Sequence, residues 1–481
     1  MNDVKKAVMT NWRWVMCAML FFATTVNYMD RQVLSLTFKE FIQPEFHWTD
    51  SDYGTITGVF SIAYAIFCLF AGKFIDWMGT KKGYLIAIIV WSLGAVLHAG
   101  CGWVTEQIVG VADKAALLEA TGALASSISM ISVWLFLACR LILGLGEAGN
   151  FPAAIKVTAE YFPKKDRAFA TALFNAGASV GALAAPATIP LLAKSLGWEW
   201  AFIIIGALGF LWAGIWIFVY DKPAESKHVN GAELEYINSD EVQSDNVQST
   251  KEEKQMSFLE AFKHKQTWSF AFGKFMTDGV WWFFLFWAPA YFQDQFNIKA
   301  SDPQGIALIF TLYAIVTVVS LFGGYLPKVF VEKRGMEPYA GRMRAMLIFA
   351  FFPIVALAAQ PLGGVWGPWA VAIIIGIVGA AHQSWSANIF STTGDMFPKS
   401  AVATITGIGA MAGGVGSFLI NKGSGMLFTY ADKMGDAFAF AGFTGKPAGY
   451  MIIFCVCAVA YLIGWSVMKA LVPKYSPVVV R

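Results

Sequence analysis

Long apolar runs separated by short polar breaks extend over the whole chain. A helix that crosses a bilayer needs about 20 predominantly apolar residues, and twelve runs of that length are present. Six precede a polar segment near the midpoint and six follow it: 12–36, 53–76, 83–104, 126–150, 168–193 and 199–220, then 267–293, 304–327, 343–361, 367–392, 402–428 and 447–471. The pattern therefore predicts an all-α membrane protein with twelve transmembrane helices.

The polar midpoint segment predicts two pseudo-symmetric six-helix halves. We assign an N-terminal six-helix bundle to 1–220, a central loop to 221–266 and a C-terminal six-helix bundle to 267–481. EYFPK at 160–164 is echoed by DMFPK at 395–399, about half the chain length later. Repeated halves of this kind are typical of transporters, whose binding site lies between the halves.

The composition agrees with a membrane protein and excludes other classes. Hydrophobic residues make up 57% of the chain and charged residues 14%, with a mean hydropathy of +0.56. Disorder requires low hydrophobicity and high net charge. A net charge of +3 is too small to indicate a nucleic-acid binder. The five histidines and six cysteines show no metal-site spacing, so no metal and no cofactor is expected.

The basic residues predict the orientation. If both termini and the central loop are placed on one side, that side collects most of the 35 lysines and arginines. Basic loops face the cytoplasm, so both termini are expected there. The N-terminal run resembles a signal peptide, but no small-residue cleavage site follows it. We interpret it as an uncleaved first helix.

Ionisable residues inside the predicted spans are the strongest functional signal. Each costs roughly 2.5–3.5 kcal/mol at the bilayer centre on the insertion scale. The sequence places a small set there: Asp30, Arg31, Arg140, Glu147, Lys274, Asp278 and His382. Lys274 and Asp278 are four residues apart and can pair on one helix. Arg140 and Glu147 are two turns apart, so each needs a partner from another helix, and Asp30 and Arg31 are the candidates.

These charges allow two interpretations. The first is structural pairing that fixes helix register. The second is a polar cavity in which a cation meets an anionic substrate and a carboxylate carries a proton. Groups suited to a polyol occur in the same spans and favour the second: Tyr28, Tyr64, Asn175, Gln383, Ser384, Trp385 and Asn388, with Trp281, Trp282 and Trp287 as apolar walls.

Several motifs make the chain resemble the major facilitator superfamily. Gly72, Asp76 and Gly79 lie in GKFIDWMGTKK at 72–82, which is similar to the superfamily's loop 2–3 signature. Trp77 and Thr80 depart from its basic positions. The resemblance implies the major facilitator fold and a gating role for Gly72, Asp76 and Gly79.

More specific motifs resemble the anion:cation symporters, and hexuronate transporters most closely. They are NYMDR at 27–31, Arg140 with Glu147-Ala148 and Phe151-Pro152, EYFPKKDR at 160–167, Lys274 with Asp278, and AHQ at 381–383. Ala178, Ala410 and His382 depart from the galactonate-transporter pattern and favour a hexuronate. The resemblance implies a bacterial inner-membrane location and a proton-coupled importer of glucuronate or galacturonate, working by alternating access.

The resemblance also implies residue roles. Arg31 would bind the substrate carboxylate, and Asp30 and Glu147 would carry protons, with Arg140 holding one of them deprotonated. Tyr28, Tyr64, Ser384 and Trp385 would line the sugar pocket. We add three substrate-binding candidates, Asn175, His382 and Gln383, and assign Lys274 to substrate and Asp278 to proton coupling. The coupling ion is H⁺, and a monomer is expected.

Other functions remain open at this point. A symporter for galactonate or another organic anion is the main alternative. A drug effluxer, a sensor and an intramembrane enzyme are further ones, although no nucleophile or metal set supports the enzyme. The segment 105–126 is longer than usual between spans 3 and 4, and the sequence suggests no role for it.

Overall fold

The computed structural model describes residues 8–240 and 256–478, and it is almost entirely helical. Residues 241–255 of the predicted central loop lie outside the described part. Six long helices precede that loop: α1 (Trp12–Thr37), α2 (Asp50–Met78), α3 (Thr80–His98), α4 (Gly122–Tyr161), α5 (Lys164–Leu196) and α6 (Trp198–Val219). Six follow it: α7 (Lys265–Phe296), α8 (Pro303–Arg334), α9 (Pro338–Trp366), α10 (Pro368–Met396), α11 (Lys399–Met434) and α12 (Gly445–Leu471).

Among the described residues, 10 helices are long and apolar enough to cross a membrane. The long helices outside that group are α1 and α7, with 26 and 32 residues. These two carry the charged pairs Asp30-Arg31 and Lys274/Asp278, which lower their apolar character. The two helices that are not apolar enough by this measure are therefore helices that contain candidate functional charges.

Several span boundaries differ from the prediction. The run at 83–104 is split into α3 and a short helix, Cys101–Val109. α4 is interrupted at Ala148-Gly149, and α9 passes through a 3-10 turn at Phe352–Ala358. That turn contains Pro353, which lacks an N–H for the helical ladder. Periodicity alone shows apolar length and does not show such breaks.

Short elements fill the loops. They are a π-helix at Phe38–Ile42, helices at Gln43–Phe46, Lys114–Leu118, Gly231–Ile237 and Phe258–Ala261, and 3-10 turns at Asn238–Asp240 and Gly435–Ala437. A two-residue antiparallel hairpin pairs Ala439 with Thr444 and Phe440 with Phe443, and is the one departure from an all-α chain in the described part.

The echoed motif forms the same turn twice. Phe162 and Phe397 end α4 and α10 in extended conformations, with φ/ψ of −125°/134° and −116°/146°. Pro163 and Pro398 precede α5 and α11 with φ/ψ of −62°/154° and −62°/153°. Because proline fixes φ and cannot continue the preceding helix, both halves reverse direction in the same way.

The acidic residue of each echo also has a corresponding partner. Glu160 accepts a hydrogen bond from Thr80 at the start of α3, at 2.6 Å. Asp395 accepts one from Arg342 near the start of α9, at 2.7 Å. The third helix of each half is thus tied to the end of the fourth, which supports a structural repeat.

Close helix contacts depend on glycine. A Cβ on Gly177 or Gly181 of α5 would lie 2.3 Å or 2.4 Å from a carbonyl oxygen of α1. Between the halves, a Cβ on Gly54 of α2 would lie 2.5 Å from the Asn421 carbonyl oxygen, and one on Gly425 of α11 would lie 2.3 Å from the Asp50 carbonyl oxygen. Small residues permit such backbone approach in membrane helices.

We call the face where α1 begins and α12 ends the terminal face, and the opposite one the distal face.

Candidate functional site

A buried ion pair joins α1 to α4 near the centre of the molecule. The Arg31 Nη2 and Nε atoms both donate to Glu147 Oε2, at 2.8 Å and 3.1 Å. Arg31 is 6% exposed and Glu147 1%. Each charge needs a partner from another helix, and the structure supplies that partner here.

Aromatic rings surround the Arg31 guanidinium. Its central carbon lies 4.6 Å from the Tyr64 ring centroid, 5.4 Å from that of Tyr28 and 5.3 Å from that of Trp282. These distances are within cation–π range. Tyr28 and Tyr64 belong to the N-terminal half, whereas Trp282 belongs to α7 of the other half. All three are half-buried, so the group lies between the halves and keeps some exposed surface. We call these three rings the Arg31 cage.

A second polar group lies behind the ion pair, between α1, α3 and α4. Neither carboxylate oxygen of Asp30 has a hydrogen-bond partner among the described residues, and both polar side-chain atoms of Asn27 are also unpartnered. Asp30 is 1% exposed and Asn27 0%. The electrostatic neighbours of Asp30 are Glu147, Arg140 and the Trp91 indole of α3. An ionised carboxylate without a partner is costly in such surroundings.

Among the described residues, Arg140 forms no direct ion pair with an acid, although its position suggests one. Its guanidinium lies 5.2 Å from the Phe60 ring centroid, and its Nε atom has no hydrogen-bond partner in the described part of the chain. It acts on Glu147 and Asp30 through space. Arg140 is 2% exposed, so its charge is felt strongly by both acids.

The C-terminal half has its own buried ion pair on α7. Lys274 Nζ lies 2.7 Å from Asp278 Oδ2 and 4.3 Å from the Phe390 ring centroid. A Cβ on Gly413 of α11 would lie 2.2 Å from the same Asp278 oxygen. The predicted four-residue pairing is therefore present, and a glycine in α11 leaves space for it.

His382 is held by an aromatic residue on either side. Its Nδ1 atom lies 2.7 Å from the Tyr461 hydroxyl, and its ring stacks on Trp281 with 5.6 Å between centroids and 3° between planes. Trp281 belongs to α7 and Tyr461 to α12. This arrangement fixes the imidazole inside the C-terminal half, against Trp281, which follows Asp278 by three residues on α7.

The neighbours of His382 do not form one pocket wall. The Ser384 hydroxyl donates to the Ala380 carbonyl at 2.9 Å and faces Gly323 of α8, where an added Cβ would lie 1.8 Å away. Trp385 is 0% exposed and packs edge-on against Tyr461 at 5.5 Å. Ser384 and Trp385 thus face different neighbouring helices, because successive helix positions point in different directions. Their role in lining the sugar pocket stays a prediction. Gln383 is half-buried, and Asn175 is exposed.

The loop 2–3 motif lies at the terminal face. Asp76 pairs with Lys156 of the same half at 2.7 Å. Gly79 has φ +78° and separates α2 from α3, and nothing lies within 4 Å of a Cβ placed on Gly72. The gating role of these three residues stays a prediction.

A four-charge cluster at the distal face went unnoticed in the sequence. Two of its ion pairs lie within one half each: Lys39–Asp50 at 3.0 Å and Lys446–Asp294 at 3.6 Å. The other two cross between the halves: Lys39–Asp294 at 3.0 Å and Lys446–Asp50 at 2.7 Å. Tyr450 also donates to Asp294 at 2.8 Å. Each of these residues lies at the end of a span, so no local pattern in the sequence marks the cluster.

Among the side chains that the structure describes, the hydrogen bonds and ion pairs found between the two six-helix groups lie toward the distal face. Besides the four-charge cluster, they include Tyr53 with the Phe286 carbonyl at 2.7 Å, and Lys422 with Thr55 at 2.5 Å. The molecule is therefore held closed at the distal face.

The 105–126 segment braces the loop that carries Lys39. Lys114 pairs with Glu45 at 2.8 Å and with Glu199 at 2.7 Å, and Trp198 donates to Glu45 at 2.7 Å. Burial raises the pKa of Glu45, against the opposing effect of Lys114. The α1–α2 loop is thereby fixed to the N-terminal half.

No group of three or more potential metal ligands occurs among the residues the structure describes.

Comparison with known proteins agrees with this architecture. The family model described as Major Facilitator Superfamily matches residues 20–420. The chain is 27% identical to a hexuronate transporter of Escherichia coli strain K12 over 95% of this chain and 94% of that protein. It is 28% identical to a galacturonate transporter of Dickeya chrysanthemi, over 66% of this chain and 82% of that one. It is 28% identical to a D-galactonate transporter of Escherichia coli O6:H1 (strain CFT073), over 67% of this chain and 68% of that one.

Solved structures share the fold. A D-xylose-proton symporter superposes with a TM-score of 0.65 at 16% identity, covering 97% of this chain and 98% of that one. A bacterial homolog of the human lysosomal transporter Spinster, described as inward-facing and occupied, gives a TM-score of 0.65 at 18% identity, covering 96% and 97%.

Proposed function

The chain belongs to the Major Facilitator Superfamily, and from that premise we propose that it is a proton-coupled symporter that imports a sugar-acid anion, a hexuronate such as glucuronate or galacturonate. The observation that carries the proposal is the buried Arg31–Glu147 pair within the Arg31 cage. A guanidinium binds carboxylates with two parallel hydrogen bonds. An acid that competes for the same guanidinium links anion binding to protonation.

The choice of a hexuronate over an aldonate rests on the relatives. The similarity to the hexuronate transporter extends over 95% of this chain, whereas the similarity to the D-galactonate transporter extends over 67%. A symporter for galactonate or another organic anion is the second candidate, and both relatives are sugar-acid transporters by name. The family and fold are those of transporters and not of enzymes.

Proton coupling follows from competition for Arg31. Protonation of Glu147 removes the charge that holds Nε and Nη2 of Arg31, and the guanidinium becomes free for a substrate carboxylate. Asp30 has no hydrogen-bond partner in the described structure, and the neutral form suits a buried carboxyl without a partner. We propose it as the second proton carrier, with Arg140 acting on both acids through space.

The charge that moves per cycle depends on how many of the two acids exchange a proton. One proton with one monovalent anion moves no net charge. Two protons move one positive charge inward, which the membrane potential drives by about 2.3 kcal/mol per 100 mV.

The C-terminal half contributes Lys274 and His382 to substrate binding and Asp278 to proton coupling in this proposal, with Gln383 and Asn175 as further polar contacts.

We place the protein in the bacterial inner membrane with both termini in the cytoplasm, because basic loops face that side. The terminal face is then cytoplasmic, and the distal closure corresponds to a state sealed from the outside. Gly72, Asp76 and Gly79 then belong to the cytoplasmic gate. The working unit in this proposal is a monomer, since one pair of halves encloses one site.

Uptake by purified protein in proteoliposomes tests the function. With an inward proton gradient, labelled glucuronate or galacturonate should accumulate, and galactonate and a dicarboxylate should accumulate less. Arg31→Ala should abolish uptake, and Arg31→Lys should stay strongly impaired, because an ammonium cannot reproduce the two parallel bonds. Undiminished uptake by Arg31→Ala would remove the carboxylate role. Accumulation of a dicarboxylate alone, or of none of the acids, would refute the proposed substrate class.

A further inference from the structure

Trp282 has a special position in the Arg31 cage. Among the described residues it is the one ring of the cage that comes from the C-terminal half. It also lies 6.0 Å from the Tyr64 ring centroid and 6.0 Å from that of Phe60. It is half-buried, so part of its surface stays accessible. A substrate whose carboxylate reaches Arg31 must therefore place its adjacent atoms beside this indole.

The position of the carboxylate in a hexuronate makes that contact specific. The carboxylate is attached directly to a carbon of the pyranose ring. In a chair pyranose, axial C–H groups form an apolar face, and aromatic side chains offer large rigid surfaces to such groups. An acyclic sugar acid presents hydroxyl groups on all sides of a flexible chain and has no such face.

We propose that Trp282 is a specificity-determining residue that selects the cyclic form of the substrate, by packing its indole against the pyranose face while Arg31 holds the carboxylate. This inference rests on the proposed function and deepens it. It assigns the ring preference to one side chain of the half opposite to Arg31. The ring face is therefore recognised only when both halves contribute to the site.

Another role for Trp282 must be separated from this one. The indole lies 5.3 Å from the Arg31 guanidinium carbon, and cation–π attraction could simply hold the arginine in place. Loss of that attraction would weaken every carboxylate equally. Selection of the pyranose, in contrast, predicts a change in the ratio between cyclic and acyclic substrates.

The test uses two acids that differ at one carbon. L-galactonate is galacturonate reduced at C1, so it keeps the carboxylate and the C2–C5 stereocentres but cannot form a pyranose ring that retains a free carboxylate. The measured quantities are KM for labelled galacturonate and the inhibition constant of L-galactonate, in wild type, Trp282→Phe and Trp282→Leu. The inhibition constant of L-galactonate divided by the KM for galacturonate should fall about tenfold in Trp282→Leu, the size expected of one aromatic contact. It should stay within about threefold of wild type in Trp282→Phe, which keeps a ring.

A second arm needs no variant. Methyl β-D-galacturonide is locked in the pyranose form with its methoxy group equatorial, so the axial C–H face stays clear. It should compete with galacturonate on the wild-type protein better than L-galactonate does. An unchanged ratio in Trp282→Leu, or L-galactonate competing better than the locked ring, would overturn the proposal. Failure of the wild type to transport any sugar acid would instead refute the proposed function, so the two failures are distinguishable.

Discussion

Lys446 and Asp50 belong to opposite halves of the chain, and the Lys446 ammonium lies 2.7 Å from the Asp50 carboxylate. Both side chains are largely buried, at 14% and 3% exposure. With the Lys39–Asp294 pair at 3.0 Å, this contact crosses the distal seam between α2, α7 and α12. The distal face is therefore closed by buried charges as well as by the backbone contact of α2 with α11.

Lys446→Met should shift the population toward a state open at the distal face. Removing Lys446 leaves Asp50 and Asp294 to share Lys39, so the cost is below the roughly 3–5 kcal/mol of a fully unpaired buried charge. It is still comparable to the few kcal/mol that separate transporter conformations. Spin labels on Ala112→Cys and Ala437→Cys, two exposed distal positions in opposite halves, should report a new population at longer distance.

Lys299→Met is the matched control for that measurement. Lys299 also reaches across the halves, but it lies 4.0 Å from Glu40 and its side chain is 53% exposed. Exposed pairs of this kind contribute about 0–1 kcal/mol, so its distance distribution should match wild type. Identical distributions for Lys446→Met and wild type would show that the cluster does not hold the face closed.

Glu147→Gln should abolish proton-driven accumulation and preserve substrate exchange. The amide mimics the protonated acid, so Arg31 remains free for the carboxylate but no proton is released in the cycle. Accumulation against a gradient and counterflow of labelled galacturonate, measured in the same vesicles, separate the two activities. Accumulation that survives in both Glu147→Gln and Asp30→Asn would contradict the coupling assignment.

Asp30→Asn should leave the fold intact while it impairs coupling. Neither oxygen of Asp30 has a partner in the described structure, so an isosteric neutral side chain removes no ion pair. The thermal unfolding temperature should stay within about 2 °C of wild type, a change of roughly 1 kcal/mol or less. A large loss of stability in Asp30→Asn would instead indicate a structural ionised carboxylate.

Lys274 and Asp278 allow a double-variant test of a structural role against a binding role. Lys274→Met and Asp278→Asn should each destabilise the protein, by about 3–5 kcal/mol, because each leaves a buried charge unpaired. The double variant removes both charges and should recover the unfolding temperature of wild type. If Lys274 binds substrate, uptake by the double variant stays low. Recovered uptake would make the pair purely structural.

Glu233 gives a pH-dependent prediction at the terminal face. Burial tends to raise its pKa, but hydrogen bonds from Thr10, from the Arg13 and Trp12 backbone N–H groups and from the Arg13 side chain outweigh burial and hold the pKa below its ordinary 4.5. The bound carboxylate also caps the start of α1, where a negative charge is favourable.

A carboxyl group whose pKa is lowered in the folded state stabilises the protein at pH values above its ordinary pKa of 4.5. That stability is lost as the pH falls through the folded-state pKa. The difference in unfolding temperature between wild type and Glu233→Gln should therefore be constant from about pH 7 to 5 and shrink below about pH 4. A difference that persists unchanged at low pH would show that Glu233 is not ionised in the folded protein.

The sequence predicted local features well. Apolar length located the helices, and the i, i+4 rule predicted the Lys274–Asp278 pair. The cost of an unpaired buried charge predicted that Arg31 and Glu147 need partners on other helices. The echoed EYFPK and DMFPK motifs predicted equivalent turns, because proline restricts the backbone in the same way wherever it occurs.

The features missed by the sequence depend on how helices face one another. Nothing in α7 alone shows that Trp282 reaches Arg31 of α1, and the orientations of Ser384 and Trp385 depend on the rotation of α10. The four-charge cluster joins residues from separate loops and span ends, each of which is unremarkable by itself. Such contacts follow from tertiary packing and not from any local pattern.

The four-charge cluster has one more consequence for transport. Lys39 and Asp50 stay together in one half, and Lys446 and Asp294 in the other. When the distal face opens, each half therefore keeps one acid and one base of the cluster, and its share of the cluster is electrically neutral. These four residues therefore add no net charge to the movement of either half, so their separation contributes nothing to the voltage dependence of the cycle.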